Sequence, residues 1–364
     1  ATSATLPSRL PRRPPSDMLY PLPFPPRFKE RVWGGRRIAE LYGKSLPPGV
    51  PIGESWEITD RPGDVSIITN GPLAGRDLHW LVENHARELF GESHFTAYDQ
   101  PSAASNNQSL LTSAPTCAGE RRFPWLIKIL DAQDKLSLQV HPPAGIAAEL
   151  GGEPKTEMWY VTAAKPDADI FAGLKRGVTR AEFERKTADG TVADCFHRIM
   201  VEPGDCMFLR SGRVHALGAG SVIFEIQQNS DTTYRVFDWN RVGLDGKPRE
   251  LHIEKSLRSI DFNDFEPALI APKYEATPAG RVRPLVNDPL FRVDQVEITE
   301  GKTLALDAAT LQAIGLLRGE ALVNSPAGQL QLAAGQFALI PGCLTSSSLR
   351  ASTATELLWV RPGT

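Results

Sequence analysis

Residues 204–212 read Gly204-Asp205-Cys206-Met207-Phe208-Leu209-Arg210-Ser211-Gly212, and residues 335–342 read Gly335-Gln336-Phe337-Ala338-Leu339-Ile340-Pro341-Gly342. Each is a turn glycine, a short apolar strand and a second turn glycine, the later copy one residue shorter. A short apolar run bounded by turn residues is the signature of a buried strand. Two copies of one such unit predict two related β-sandwich domains of the jelly-roll kind. Aligned on Gly212 and Gly342, His215 falls opposite Thr345, so only the first copy is expected to keep a polar site.

Working outward, β signals dominate from Phe123 to Trp239 and return after Pro267. From Tyr20 to Gly75 the chain is turn-rich, with apolar bursts such as Val65-Ser66-Ile67-Ile68, and reads as a meander of short strands. Three helices are predicted. Leu78, Leu81, Val82, Leu89 and Phe90 form one helical stripe over 77–90, with Gly91 as its stop. Thr179 and Glu182 form a capping box for a helix over 179–188. A third helix is expected over 251–260. Residues 99–122, rich in Ser, Ala and Asn, read as a surface loop. Residues 1–17 carry Arg9, Arg12, Arg13 and several prolines but no apolar block, and are expected to be a disordered tail ahead of Met18. The expected division is this tail, a catalytic unit over 18–262 and a degenerate β domain over 263–364.

Of 364 residues, 41% are hydrophobic, enough for a sizeable core, and the formal charge of −3 argues against a dedicated nucleic-acid binder. No uncharged apolar run approaches the roughly 20 residues of a membrane helix, so no membrane partner is expected. Cys117, Cys195, Cys206 and Cys343 form no close pair and read as reduced thiols of a cytoplasmic protein. A metal site must therefore rest on histidines and carboxylates.

The densest such constellation begins at Leu136-Ser137-Leu138-Gln139-Val140-His141, where period two places Ser137, Gln139 and His141 on one face. Lys155 and Glu157 share a face by the same rule, and His215 stands at a turn entering a strand. Glu157 precedes Met158-Trp159-Tyr160-Val161, and a carboxylate in so apolar a run is costly unless paired or metal-bound. Two histidines, a glutamate and an amide oxygen suit a borderline divalent ion such as zinc. His79, His85, His94, His197 and His252 have no partner pattern and read as structural. Glu225 alternates with Phe224 and Ile226, and the polar run Gln227–Arg235 that follows reads either as the lining of a pocket for a polyhydroxylated substrate or as a hydrogen-bonded loop.

At these residues the chain resembles a known family. FKERVWGG (28–35), GESWE (53–57), LSLQVHP (136–142), KTEMWY (155–160), SGRVHALG (211–218), QQNSDTTYRVFDW (227–239) and RELHIEKSL (249–257) are similar to the type I mannose-6-phosphate isomerases in their short bacterial form. The resemblance runs in order from Met18 to Ile260; the last third fits only in its β character. It implies a mainly β fold of two cupin-like jelly rolls with a few helices. It also implies one Zn²⁺ per chain, held by Gln139, His141, Glu157 and His215. The implied reaction interconverts mannose 6-phosphate and fructose 6-phosphate through an enediolate. Arg235 matches the active-site arginine, and Lys155 and Glu225 match positions that handle substrate; Ser137 joins Lys155 and Arg235 as a substrate-binding candidate. Glu225 is the candidate base. A non-catalytic sugar-phosphate-binding cupin and an isomerase of glucose 6-phosphate are the alternatives. A monomer is expected, with a homodimer as the second choice.

Overall fold

A computed structural model describes residues 19–92, 94–95 and 121–363; the expected tail, Cys117 and almost all of the expected loop lie outside the described residues. Four antiparallel sheets carry the fold. The first, in spatial order, consists of β2 (Arg27–Gly35), β3 (Ile52–Ile58), β4 (Trp125–Ala132), β11 (Ser221–Gln228), β6 (Glu157–Ala164) and β9 (Cys206–Leu209). The second consists of β12 (Tyr234–Phe237), β5 (Leu138–Val140), β10 (His215–Leu217), β7 (Asp169–Leu174) and β8 (Phe196–Met200). These two pack through Trp33, Leu130, Trp159, Ile170, Leu217 and Ile223. The third runs β1 (Leu22–Pro23), β20 (Phe337–Ile340), β17 (Gln312–Arg318), β22 (Thr355–Arg361), β15 (Phe291–Ile298), β14 (Gly280–Asp288) and β13 (Glu275–Thr277). The fourth runs β16 (Thr303–Ala305), β21 (Ser348–Ala351), β18 (Glu320–Ser325) and β19 (Gly328–Ala333). Val296, Ile314, Val323, Leu349 and Leu357 fill the space between the last two. The mainly β, double jelly-roll expectation is thus met.

The two quoted segments are corresponding strands, β9 and β20. The order β9-β6-β11-β4-β3 in the first sheet reappears as β20-β17-β22-β15-β14 in the third, and β5-β10-β7-β8 reappears as β16-β21-β18-β19. Registers agree as well. Glu157 stands opposite Leu209, and Gln312 stands opposite Ile340, which holds the same place in the second segment. Gln312 is therefore the counterpart of Glu157. The second copy is expected to keep no polar site, and among the described residues it holds no metal-type cluster, yet its interior is not wholly apolar. Around Gln312, buried Arg361 pairs with Asp294 and with Asp307, and the Trp359 indole donates to the Gln312 carbonyl at 2.8 Å. What the second copy lacks is histidine, not polarity.

The outer face of the first sheet meets the outer face of the third in one core, where Ile129, Met158, Phe224 and Ile226 pack with Phe291, Val293, Leu339 and Leu358. Strand β1 crosses this seam, with Leu22 opposite Leu339.

Helix α1 (Arg37–Tyr42) was not foreseen. Helix α2 (Leu78–Phe90) matches its prediction, with the Asp77 carboxylate accepting from the Trp80 amide and Leu78, Leu81, Leu89 and Phe90 in the shared core. A short α3 (Ala144–Ala147) follows β5. Helix α4 (Arg180–Asp189) is capped by the Thr179 hydroxyl on the Glu182 amide, as the capping box requires. The third predicted helix is α5 (Ile253–Ser259). Val65–Ile68 is not a strand; only Ile67 bridges, to Asp77. No helix among the described residues is long and apolar enough to cross a membrane.

Candidate active site

Four strands and one turn bring these predicted residues together. Gln139 of β5 stands directly opposite His215 of β10 and opposite Arg235 of β12. His141 follows β5, and its carbonyl accepts the Gly212 amide at 2.8 Å. Gly212 has φ +96°, a left-handed value that glycine adopts without steric cost, so the Ser211–Arg213 turn can fold back against His141 and deliver His215 beside it. Glu157 opens β6 in the facing sheet.

The His141, Glu157 and His215 side chains are buried, with ligand atoms all within 4.8 Å of one another. The Glu157 carboxylate lies 3.6 Å from His141 Nε2 and 3.3 Å from His215 Nε2. His141 Nδ1 is 2.7 Å from the Thr232 carbonyl and His215 Nδ1 is 2.9 Å from the Arg213 carbonyl. Each Nδ1–H donates there, which fixes the tautomer and leaves both Nε2 lone pairs aimed at one point. His141 Nε2 and Glu157 Oε1 are buried acceptors without a hydrogen-bond partner, and Glu157 Oε2 meets only the Lys155 ammonium at 2.9 Å. Such open acceptors are rare in folded proteins, and a cation between the imidazoles and the carboxylate satisfies them. Gln139 Nε2 lies 3.3 Å from His215 Nε2 while its carbonyl accepts from Ser137 at 3.3 Å; a half-turn of the amide exchanges the two and offers oxygen to the same point. The residues present fit a divalent metal.

Electrostatics agree. Burial, with Lys155 nearby, pushes His141 down to about 3, so it stays neutral and able to ligate at ordinary pH. Burial alone would raise the Glu157 carboxyl, but the charge of Lys155 at 2.9 Å outweighs it and holds the group ionised.

Beside the cluster opens a cavity of about 610 Å³, bordered by Ser137, Gln139, Lys155, Glu225 and Arg235 among others. Gln139 and Lys155 thus belong to both the cluster and the cavity. Glu225 is buried; Trp159 Nε1 donates to its Oε2 at 2.9 Å, and Lys128 Nζ lies 3.3 Å from Oε1. Burial and the Glu157 carboxylate raise its pKa against the pull of Lys155 and Lys128. Arg235 is half-buried, with its Nε hidden and without a hydrogen-bond partner.

The polar run after Glu225 serves both of its alternative readings. Gln227 donates to the Ser230 carbonyl at 2.6 Å and Asn229 to the carbonyls of Asp60 and Phe123, so these amides brace the loop. Asp231, Thr233 and Arg235 line the cavity.

Several cavity residues escaped the sequence reading: Arg31, Glu54, Lys128, Arg249 and His252. Lys128 carried a readable signal, since a lone lysine inside Trp125–Leu130 is the same anomaly that singled out Glu157. His252, read as structural, accepts the Arg235 amide on Nδ1 at 3.2 Å in the cavity wall. Glu54 comes from the GESWE stretch, which crosses VWGG so closely that a Cβ on Gly34 would stand 2.3 Å from the Gly53 nitrogen.

Residues 22–153 match the family described as phosphomannose isomerase type I, catalytic domain. The mannose-6-phosphate isomerase of Streptococcus mutans is 33% identical over 330 residues, covering 90% of this chain and 95% of the relative. The chain belongs to the type I phosphomannose isomerase family. The crystal structure of the mannose 6-phosphate isomerase from Bacillus subtilis superposes on this chain with a TM-score of 0.79 at 28% identity, covering 93% of this chain and 99% of the other. A more distant mannose 6-phosphate isomerase, solved bound with zinc and yttrium, shares the fold with a TM-score of 0.67 at 17% identity over 94% of this chain and all of its own.

Glu54 gives the chain an acid-sensitive element. Burial would raise its carboxyl, but Lys128 and Arg31 bring it from an ordinary 4.5 down to about 2. A depressed folded-state pKa contributes stability that is present above the unfolded value and is lost as pH falls through the folded one. The stability difference between the native protein and Glu54→Gln, measured by urea unfolding, should therefore be largest above pH 4.5 and shrink steadily toward pH 2. A difference independent of pH would show that Glu54 is not charged in the fold.

Proposed function

We propose that the chain is a metal-dependent aldose–ketose isomerase that interconverts mannose 6-phosphate and fructose 6-phosphate. The observation that supports this most directly is the junction of the His141–Glu157–His215 cluster, with its unpartnered acceptors on His141 and Glu157, with a cavity holding Lys155, Glu225 and Arg235. A binding protein needs no buried carboxylate with a raised pKa beside its ligand, so the non-catalytic alternative is not favoured. The catalytic unit is assigned to residues 18–262, with residues 263–364 as a degenerate second jelly roll. A monomer is proposed, with a homodimer as the second choice. Free Cys195, Cys206 and Cys343 accord with a reducing, cytoplasmic setting.

Gln139, His141, Glu157 and His215 are proposed to hold one Zn²⁺, the ion suited to two imidazoles and a carboxylate. When bound, the ion supplies charge that stabilises the sugar's enediolate oxygens. Glu225 takes the proton from C2 of the aldose and returns it to C1, while the O2 proton is lost and O1 gains one, leaving the carbonyl at C2. Lys155 and Arg235 supply positive charge to the enediolate and the phosphate, and Ser137 orients a sugar hydroxyl.

A coupled assay with mannose 6-phosphate and with glucose 6-phosphate, run beside metal analysis, tests the reading. Turnover of the mannose epimer with one zinc per chain is expected. Turnover of glucose 6-phosphate alone, or of neither sugar by metal-loaded protein, would overturn it.

Arg235→Lys keeps the charge but loses the planar fork. Turnover should fall by on the order of 10–10²-fold with KM nearly constant, because the contact strengthens at the enediolate. A rise in KM alone would assign Arg235 to ground-state phosphate binding.

A further inference from the structure

Lys128 stands at the centre of a row of side chains across the first sheet. Trp56 of β3 lies opposite Lys128 of β4, Lys128 lies opposite Glu225 of β11, and Glu225 lies opposite Trp159 of β6. All four side chains are buried, yet Lys128, Glu225 and Trp159 border the cavity. The lysine ammonium sits 5.1 Å from the Trp56 ring centroid, 3.3 Å from Glu225 Oε1 and 3.8 Å from Glu54 Oε2.

Glu54 is already served. Its Oε1 accepts from Arg31 at 2.7 Å and its Oε2 from the Trp56 indole at 2.6 Å. Glu225 is served on one side only. Its Oε2 accepts the Trp159 indole N–H, whereas Oε1 is buried without a hydrogen-bond partner, with Lys128 close but outside hydrogen-bonding geometry. Trp159 and Lys128 therefore act on opposite oxygens. The indole fixes the orientation of the carboxylate, and the ammonium balances its charge without capping the oxygen that must receive a proton. A buried carboxylate left unbalanced would neutralise itself or turn away.

We infer that Lys128 is the positioning residue of the proton-transfer carboxylate, holding Glu225 ionised with Oε1 turned toward the sugar. This rests on the reading of Glu225 as the base. Lys128 does not touch the substrate; it acts through Glu225. Lys155 also pulls on Glu225, but its ammonium is held by Glu157 at 2.9 Å and Arg31 is held by Glu54, whereas Lys128 stands 3.3 Å from the Glu225 oxygen itself.

The test compares Lys128→Met, Lys128→Arg, Glu225→Gln and the double variant Lys128→Met/Glu225→Gln in the zinc-loaded full chain, with zinc content and melting temperature measured for each. Lys128→Met should lower kcat by about 10²-fold with KM for mannose 6-phosphate within about threefold, and Lys128→Arg should recover most of the loss. Added to Glu225→Gln, Lys128→Met should cost no more than about threefold further, since two residues acting as one unit are not additive. If Lys128→Met fails to fold because Glu225 is stranded, the double variant, which removes both charges, still supplies that comparison. Retained kcat in Lys128→Met, an effect confined to KM, or a full multiplicative loss in the double variant would each overturn the inference. Normal turnover in Glu225→Gln would instead remove the reading on which it rests.

Discussion

Chelation of the purified protein abolishes isomerisation, and zinc restores it: this is the largest effect expected. His215→Ala should lower activity by on the order of 10³ or more, equivalent to about 4 kcal/mol of lost enediolate stabilisation. Removing one of the two imidazoles leaves Glu157 and His141 unable to complete a four-coordinate site, so the metal content should fall with the activity. The fold should survive. His215 lies in a short three-residue strand, while the main cores are built by other residues, among them Phe224, Phe291 and Trp159. Metal analysis, circular dichroism and the coupled assay on the same samples check all three statements. Full turnover in protein shown to be metal-free would defeat the metal assignment.

Glu225→Gln should lower kcat by ~10²–10⁴ with a modest change in KM, the usual contribution of a general acid–base group. Glutamine keeps the volume and can still accept from the Trp159 indole, so what disappears is basicity rather than shape. Zinc should remain bound, since Glu225 is not among the cluster that converges on the metal point. Near-normal turnover with zinc in place would remove Glu225 as the base. Asp231, exposed at the cavity wall, would then be the carboxylate to test.

The fold was legible wherever periodicity acted locally. Alternation along Ser137–His141 and Lys155–Glu157 set side chains that meet in the fold on shared faces, the apolar stripe with its Gly91 stop located α2, and the capping box located α4. The glycine-bounded echo was real because both copies keep the same place in equivalent sheets. Val65–Ile68 misled because an apolar burst forms a strand only if a neighbour lies in register, and here the chain turns away after one bridge. The convergence of the proposed metal ligands was legible as two local patterns plus His215. The cavity wall was not, because Arg31, Glu54 and Lys128 reach it from strands far apart in sequence, and only the tertiary register sets them beside Glu225. The polar interior of the second jelly roll was hidden for the same reason: Gln312 and Arg361 are ordinary strand residues until the ladder brings them together.

Strand β1 has a consequence for how the protein comes into being. Leu22 pairs with Leu339, so one of the earliest described segments finds its partner only when nearly the whole chain exists. On the ribosome, the first jelly roll can form its sheets while residues such as Ile129, Phe224 and Ile226 still lack the Phe291, Leu339 and Leu358 that cover them. That intermediate shows an apolar face to its surroundings for the seconds that synthesis of the remaining hundred or so residues takes, at roughly 5–20 residues per second. Contacts of such long sequence separation also form slowly once the chain is free. Chaperone demand, and aggregation during refolding from denaturant, should therefore concentrate at this seam rather than at the metal centre.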